Sequence, residues 1–352
     1  MTVTLGSLLR QRHGWRRAAM LALASASASA AMAASPDRAK PPVPAGRADT
    51  AITQPAPRLR PGKPNILWIC TDQQRWDIFD PHAPLDPPGD FAARYDLDAI
   101  PPPLWNDSDL AEKAAFEGIM FQTKVTKPRS AQDKLDKAKY WAKIEMIDEN
   151  VGRLLKRLED SGQADQTVVI FTSDHGEMLG DHGLWWKGCR FYEGLMRVPL
   201  VFWAPKRFRQ DLRSHALVDL MDIAPTLMEL AGESVPKRMQ GKSLLPILKG
   251  TSAPDRHKDY IRGEFYACLG PDEGSKEWPE NRATMIRIED YKLVVYHEHE
   301  KGELFNLKND PNEFVNLWDD PKFKDERFML LKKSFDSTVE SINAGPERIG
   351  RY

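Results

Sequence analysis

The sequence predicts an α/β fold: a mostly parallel central sheet flanked by helices, followed by a smaller C-terminal antiparallel sheet and a terminal helix. Three observations carry that prediction. Two apolar runs, residues 64–71 and 168–173, each stop at a carboxylate, Asp72 and Asp174. Between them, the stretch from Gln132 to Ser161 repeats apolar residues at helical spacing, as a crossover between parallel strands requires. Further on, residues 283–288 and 291–296 alternate in strand fashion around Glu289-Asp290, which predicts a hairpin.

Taken in order, the chain begins with Arg10, Arg12, Arg16 and Arg17 ahead of a small-residue apolar run from Ala18 to Ala33. That is the pattern of a signal peptide over residues 1–34, with cleavage expected near Ala33 or Ala34 and a periplasmic or secreted product. General secretion fits better than the twin-arginine route that Arg16-Arg17 invites, and an Arg- and Ser-rich start without acids is also that of an organelle transit peptide. No later stretch is apolar for long enough to span a bilayer. Residues 35–62, rich in Pro, Ala and Arg and without apolar periodicity, make a flexible leader. An α/β domain is expected over 63–250 and an α+β unit over 251–352.

Within the α/β domain the proline-dense segment from Pro84 to Pro103 starts an irregular crossing. The helix after it places Ile144, Ile147, Val151, Leu154, Leu155 and Leu158 on one face, with Gly162 closing it at the C′ position. Lys139, Lys143, Lys156 and Arg157 read as its solvated face. It feeds the strand at 167–173, and Pro199 to Trp203 forms the next buried strand. Asp222 is placed to cap a helix running through Pro225, Leu227 and Leu230 to Gly232. Gly241 to Gly250 closes the domain, and Phe323 to Ile342 reads as the terminal helix.

Composition bounds the partners. The 352 residues are 41% hydrophobic, enough for one large and one small unit. With 50 basic against 51 acidic residues the net charge is −1, which gives no long-range pull on nucleic acid. The 3 cysteines are too few for a disulfide framework; Cys189 and Cys268 pair in an oxidising compartment, or all stay as thiols.

The chemistry sits where the two strands end. Asp72 is followed by Gln73, and Asp174 by His175 and Gly176, so two carboxylates, an amide oxygen and an imidazole leave the sheet at its carboxyl edge. Oxygen donors of this kind suit Ca²⁺ or Mg²⁺, whereas a thiolate set would suit zinc. An Asp after a strand also serves as a plain turn residue or helix cap. The glycine-bounded Asp181-His182 pair is expected near Asp174, with His182 a candidate for orienting a ligand or moving a proton. His297 and His299 alternate with Glu298 and Glu300, the pattern of a wet strand edge or of a metal site.

From Lys63 nearly to the C-terminus the chain resembles the sulfatase family of the alkaline phosphatase superfamily. The resemblance runs through Asn65-Ile66-Leu67, Thr71-Asp72-Gln73-Gln74-Arg75, Asp80-Pro81-His82-Ala83-Pro84, Ser173-Asp174-His175-Gly176, Lys187-Gly188, Tyr192-Glu193 and Arg197-Val198-Pro199-Leu200. It ends on Gly302-Glu303-Leu304-Phe305-Asn306-Leu307 and Asn309-Asp310-Pro311-Asn312-Glu313. It implies an alkaline phosphatase-like sheet lacking some strands, and hydrolysis of a small-molecule or saccharide sulfate ester. Asp72, Gln73, Asp174 and His175 would ligate the metal, Ca²⁺ before Mg²⁺, Mn²⁺ or Zn²⁺, and His82 and Lys187 would hold the sulfate and its leaving oxygen. Position 73 is more often Asp in the family.

One family feature is missing. Sulfatases attack with a Cys or Ser in a Cys/Ser-x-Pro-Ser-Arg run, oxidised to formylglycine, and the chain contains no such run. Only Ile78 and Phe79 separate Trp76-Asp77 from Asp80-Pro81-His82, which in the family belong to loops far apart. An internal deletion near 77–80 is therefore expected, bridgeable because about ten residues at roughly 3.3 Å each reach between loops on one face. Three readings follow: a sulfatase that has lost a segment, a metal-binding pseudoenzyme, and a phosphoester hydrolase of the same superfamily.

Overall fold

The computed structural model describes residues 3–4, 62–75, 94–114, 116, 125–266 and 281–342. Five strands form the first sheet: β1 (Val3–Thr4), β2 (Asn65–Thr71), β3 (Thr167–Ser173), β4 (Leu200–Trp203) and β5 (Arg213–Ser214), in the order β2-β3-β4-β1-β5. β2 and β3 run parallel in the register Asn65↔Thr167 through Thr71↔Ser173, so Asp72 and Asp174 leave the sheet side by side. Between these strands lie the short α1 (Asp109–Ala114) and the long α2 (Ser130–Asp160).

The sheet is mixed rather than mostly parallel, because β4 returns antiparallel to β3. Parallel pairing needs a long crossover. The chain between β3 and β4 is long enough for one but carries only short helical turns, the longest being the four-residue α3 (Glu193–Met196), and no crossover helix returns it to the starting edge, so β4 runs back beside β3.

β3 is covered on both faces. Val168 and Ile170 join Leu200, Phe202 and Ile223 in one apolar cluster, with residues of α4 (Ile223–Leu230) and α5 (Leu245–Leu248) on top. Val169 points the other way, into a cluster with Val151, Leu155 and Trp203 on which Leu67, Ile69, Ile147 and Leu158 pack. β2 takes part only in the second cluster. Its opposite face, carrying Ile66 and Trp68, is open, and Trp68 is 52% exposed.

α2 ends as its sequence predicts. Gly162 has φ +70°, its N–H donates to the carbonyl of Glu159, and the Gln163 N–H donates to that of Leu158, the paired bonds of a Schellman turn. Two details differ. Leu154 lies at the margin of the apolar stripe and is 51% exposed, while Lys143 is buried rather than solvated. The N-terminal half of α2 is covered by the preceding segment, where Tyr95 stacks edge-on to Trp141 and Lys137 donates to the Pro102 carbonyl.

Asp222 is no cap for α4. Its carboxylate accepts from the backbone N–H of Asp219 and Lys242 and pairs with Lys258 at 2.6 Å, while Asp219 caps the preceding turn.

The second sheet is antiparallel, with β6 (Ile261–Tyr266), β7 (Arg282–Arg287), β8 (Tyr291–Tyr296) and β9 (Gly302–Asn306) in sequential order. One face, with Met285, Val294 and Tyr296, packs on Met178, Phe191 and Tyr192 from the loops after β3. The other packs Ile286, Leu293 and Leu304 against Leu330 of the terminal helix α6 (Lys324–Ile342). The outer side of α6 shows Phe328, Phe335, Val339 and Ile342 to solvent. Among the described residues no helix is long and apolar enough to cross a membrane.

Candidate functional site

The paired ends of β2 and β3 are tied by short polar bonds. Ser173 Oγ donates to the Thr71 carbonyl at 2.9 Å and accepts from the Gln74 N–H at 2.8 Å, and the Asp174 N–H donates to Thr71 O. Asp174 Oδ1 accepts from the N–H of both Gln73 (2.9 Å) and His175 (2.7 Å), which bends the two exits toward one point. Gly176 lets the turn continue: a Cβ there would lie 2.1 Å from the Gly194 carbonyl of α3.

The result is a three-residue cluster. Single donor atoms of Asp72, Asp174 and His175 lie within 4.8 Å of one another. His175 Nδ1 is 2.9 Å from the Gly176 carbonyl, which can only accept, so the proton is on Nδ1. Nε2 then presents its lone pair 3.7 Å from Asp72 Oδ1 and 3.6 Å from Asp174 Oδ2. Lys187 brings its ammonium 3.1 Å from that same Nε2. Two carboxylates and a tautomer-fixed imidazole fit a divalent cation.

Gln73 belongs to the same turn, with a left-handed φ of 64° and a buried side chain. Its Nε2 donates to Glu177 Oε2, and its carbonyl accepts from Tyr140 Oη at 2.9 Å. Glu177 Oε1 in turn accepts from the N–H of Leu179 (3.1 Å) and Trp186 (2.6 Å). Burial pushes the Glu177 carboxyl above the usual range, against these bonds and the nearby Arg75.

His182 is not brought to the cluster. It is buried, with Nδ1 3.0 Å from Asp109 Oδ1, its ring stacked on Tyr192 at 4.6 Å between centroids. Asp181 is buried as well, pairing with Arg75 at 2.6 Å and accepting from the Leu104 N–H. Burial would raise its carboxyl, but Arg75 and Lys137 outweigh that and hold it below the ordinary value. The exposed His297 lies near Thr284 Oγ1 (3.1 Å) and, with His299, stands outside the cluster. Cys189 is buried, its thiol pushed up to about 12 chiefly by burial. His82 and Cys268 lie outside the described residues.

A cleft of about 430 Å³ opens beside Asp174, lined by Met196, Val198, Met221, Arg262 and Met285 among others. Its charged walls are paired internally, Arg287 with Glu193 at 2.7 Å and Arg262 with Glu264. Arg75, Tyr140 and Glu177 are the residues for which sequence reasoning gave no role. The only signal of Arg75 and Glu177 was their place in the runs around Asp72 and Asp174, and Tyr140, in the middle of α2, had none.

The sulfatase family model matches residues 18–233. The chain belongs to the sulfatase family. A second model, N-sulphoglucosamine sulphohydrolase, C-terminal, matches residues 180–340. This sulfatase-family chain is 29% identical over 291 residues to an arylsulfatase of Clostridium perfringens, covering 82% of the chain and 56% of that protein. It is 34% identical over 195 residues to an N-acetylglucosamine-6-O-sulfatase of Bacteroides thetaiotaomicron, covering 55% and 34%. The phosphonate monoester hydrolase of Agrobacterium radiobacter superposes with a TM-score of 0.63 at 26% identity, covering 74% of this chain and 55% of that one. The Silicibacter pomeroyi enzyme of the same name, at 24% identity and a TM-score of 0.66, shows the shared fold. The chain thus spans between a third and just over half of the length of these relatives.

Proposed function

We propose that the site binds a divalent cation, calcium in the first place, and with it a sulfuric ester of a small molecule or saccharide, the substrate class that the sulfatase family hydrolyses. The convergence of Asp72, Asp174 and His175 from strand ends a hundred residues apart, with the Lys187 ammonium on the same point, carries the reading. Asp72, Asp174 and His175 would hold the ion, with the Gln73 amide oxygen as a fourth donor. The chemistry a bound cation supplies there is polarisation of an ester oxygen and neutralisation of its charge. Lys187 holds an anionic ester oxygen, and in a complete enzyme of the family it would donate a proton to the departing one. His82 shares that role by family resemblance. The cleft beside Asp174 receives the alcohol part of the ester.

The formylglycine run is absent, so we propose that the chain binds and polarises a sulfate ester without turning it over. Calorimetry with calcium and 4-nitrophenyl sulfate tests this. Binding should need the ion and weaken in Lys187→Ala, and release of 4-nitrophenol should not exceed that of Lys187→Ala. Ester binding indifferent to both changes overturns the site assignment. Hydrolysis that Lys187→Ala abolishes overturns the inactive reading alone.

The likeness to the phosphonate monoester hydrolase, together with Gln73, favours a second reading as a phosphoester or phosphonate hydrolase. Tighter binding of a phenylphosphonate monoester than of the sulfate, with manganese or zinc in place of calcium, selects it. The basic start followed by an alanine-rich run supports export. N-terminal sequencing of exported material should begin near Ala34; such material would lack β1.

A further inference from the structure

We propose that Glu177 is a positioning residue for the cation site: it engages the amide nitrogen of Gln73, leaves the amide oxygen for the ion, and thereby makes a neutral amide the required side chain at position 73. The inference rests on the cation-site reading above.

Glu177 has little freedom to do otherwise. It is buried at the turn after β3, and its Oε1 is taken by the N–H groups of Leu179 and Trp186. Only Oε2 faces Gln73, and a carboxylate oxygen accepts, so the Gln73 group turned to it is the NH₂. Gln73 is equally fixed. Its N–H is on Asp174, its carbonyl on Tyr140, and its φ of 64° sets the direction in which the side chain leaves.

With Nε2 committed, the planar amide turns Oε1 away from Glu177. Among the described residues Oε1 accepts no hydrogen bond, and it is not wholly enclosed. It is an amide oxygen with an open lone pair on the residue that joins Asp72 to the Asp174 bond. An amide oxygen is a good ligand for a hard cation.

The arrangement reverses a simple electrostatic expectation. A carboxylate at 73 adds a negative charge, which alone would tighten cation binding. Here it would face the buried Glu177 carboxylate with no donor between them, and the two acceptors would be pushed apart. The required partner of Glu177 is a donor. Gln73→Glu keeps the shape and removes the donor; Glu177→Gln keeps the shape and turns an NH₂ toward Gln73, so that Gln73 must rotate its oxygen inward.

Calcium affinity, measured by titration calorimetry on the full chain, tests the proposal through these two variants and their combination. Each single variant should bind calcium about 10- to 100-fold more weakly, the effect usual for a group that orients a ligand. The swap Gln73→Glu/Glu177→Gln restores one donor facing one acceptor and should recover most of the loss. Thermal melts without calcium accompany each titration. A residue that only supports the fold would lower the melting temperature in Glu177→Gln and leave the affinity of the folded protein unchanged. Tighter binding by Gln73→Glu than by wild type overturns the proposal, as does wild-type affinity in Glu177→Gln or a swap no better than the singles. Those results leave the cation site standing. Equal calcium uptake by wild type and Asp174→Ala removes the site reading and this inference together.

Discussion

Asp174 is the residue on which the site turns, because one of its oxygens fixes the backbone of Gln73 and His175 while the other faces the imidazole. Asp174→Ala is expected to abolish calcium uptake in calorimetry; uptake equal to wild type counts against the assignment. Asp181 does different work two turns further on. Its carboxyl is held below the ordinary value, so the stability it contributes is fully present above about pH 4 and is lost as pH falls through the folded value. Asp181→Asn leaves Arg75 and Lys137 without their shared anion and should cost about 3 kcal/mol near neutrality. Denaturant melts should show that gap closing on acidification; a gap that widens in acid would contradict the pairing. The grouping of Asp72, Asp174 and His175 was legible because a carboxylate at a strand exit has a known place in space. Glu177 and Tyr140 were not, since their partners are set by a positive-φ turn that no local pattern announces.

Among the elements, α6 presents two apolar faces with different fates. Leu330 is fully buried against the second sheet, whereas Phe335, on the other side, is 70% exposed. Leu330→Ala should therefore cost about 2–5 kcal/mol in urea melts. Phe335→Ser should change stability by no more than about 0.5 kcal/mol. A large loss in the latter would mean that the outer face is covered in solution. α2 was legible almost to the residue, through its apolar spacing and Gly162. The buried Lys143 was not, because helical spacing does not say what lies against a charged face. Asp222 misled for a related reason: its acceptors are used by Lys242 and Lys258, across the chain from the helix it precedes.

For the molecule as a whole, the α/β architecture followed from strand and helix periodicity, but strand direction did not. Periodicity is blind to the connection, and a path from β3 to β4 without a crossover helix left the sheet mixed. The described sheet also leaves β2 bonded to β3 alone, with the Ile66 and Trp68 face open to water. A strand fastened along one side is the first to peel away. This one leads into Asp72, so a peeled β2 carries off one of the three residues of the proposed cation site. If the site takes up calcium as proposed, ion uptake and amide exchange become one equilibrium. At calcium a hundredfold above Kd, exchange of the β2 amides should slow by about 100-fold while that of α6 stays unchanged. Unaltered β2 exchange at saturating calcium would show that the strand opens without releasing Asp72. The ion would otherwise act as a latch on the loosest seam of the sheet, and calcium supply would set how often that seam comes undone.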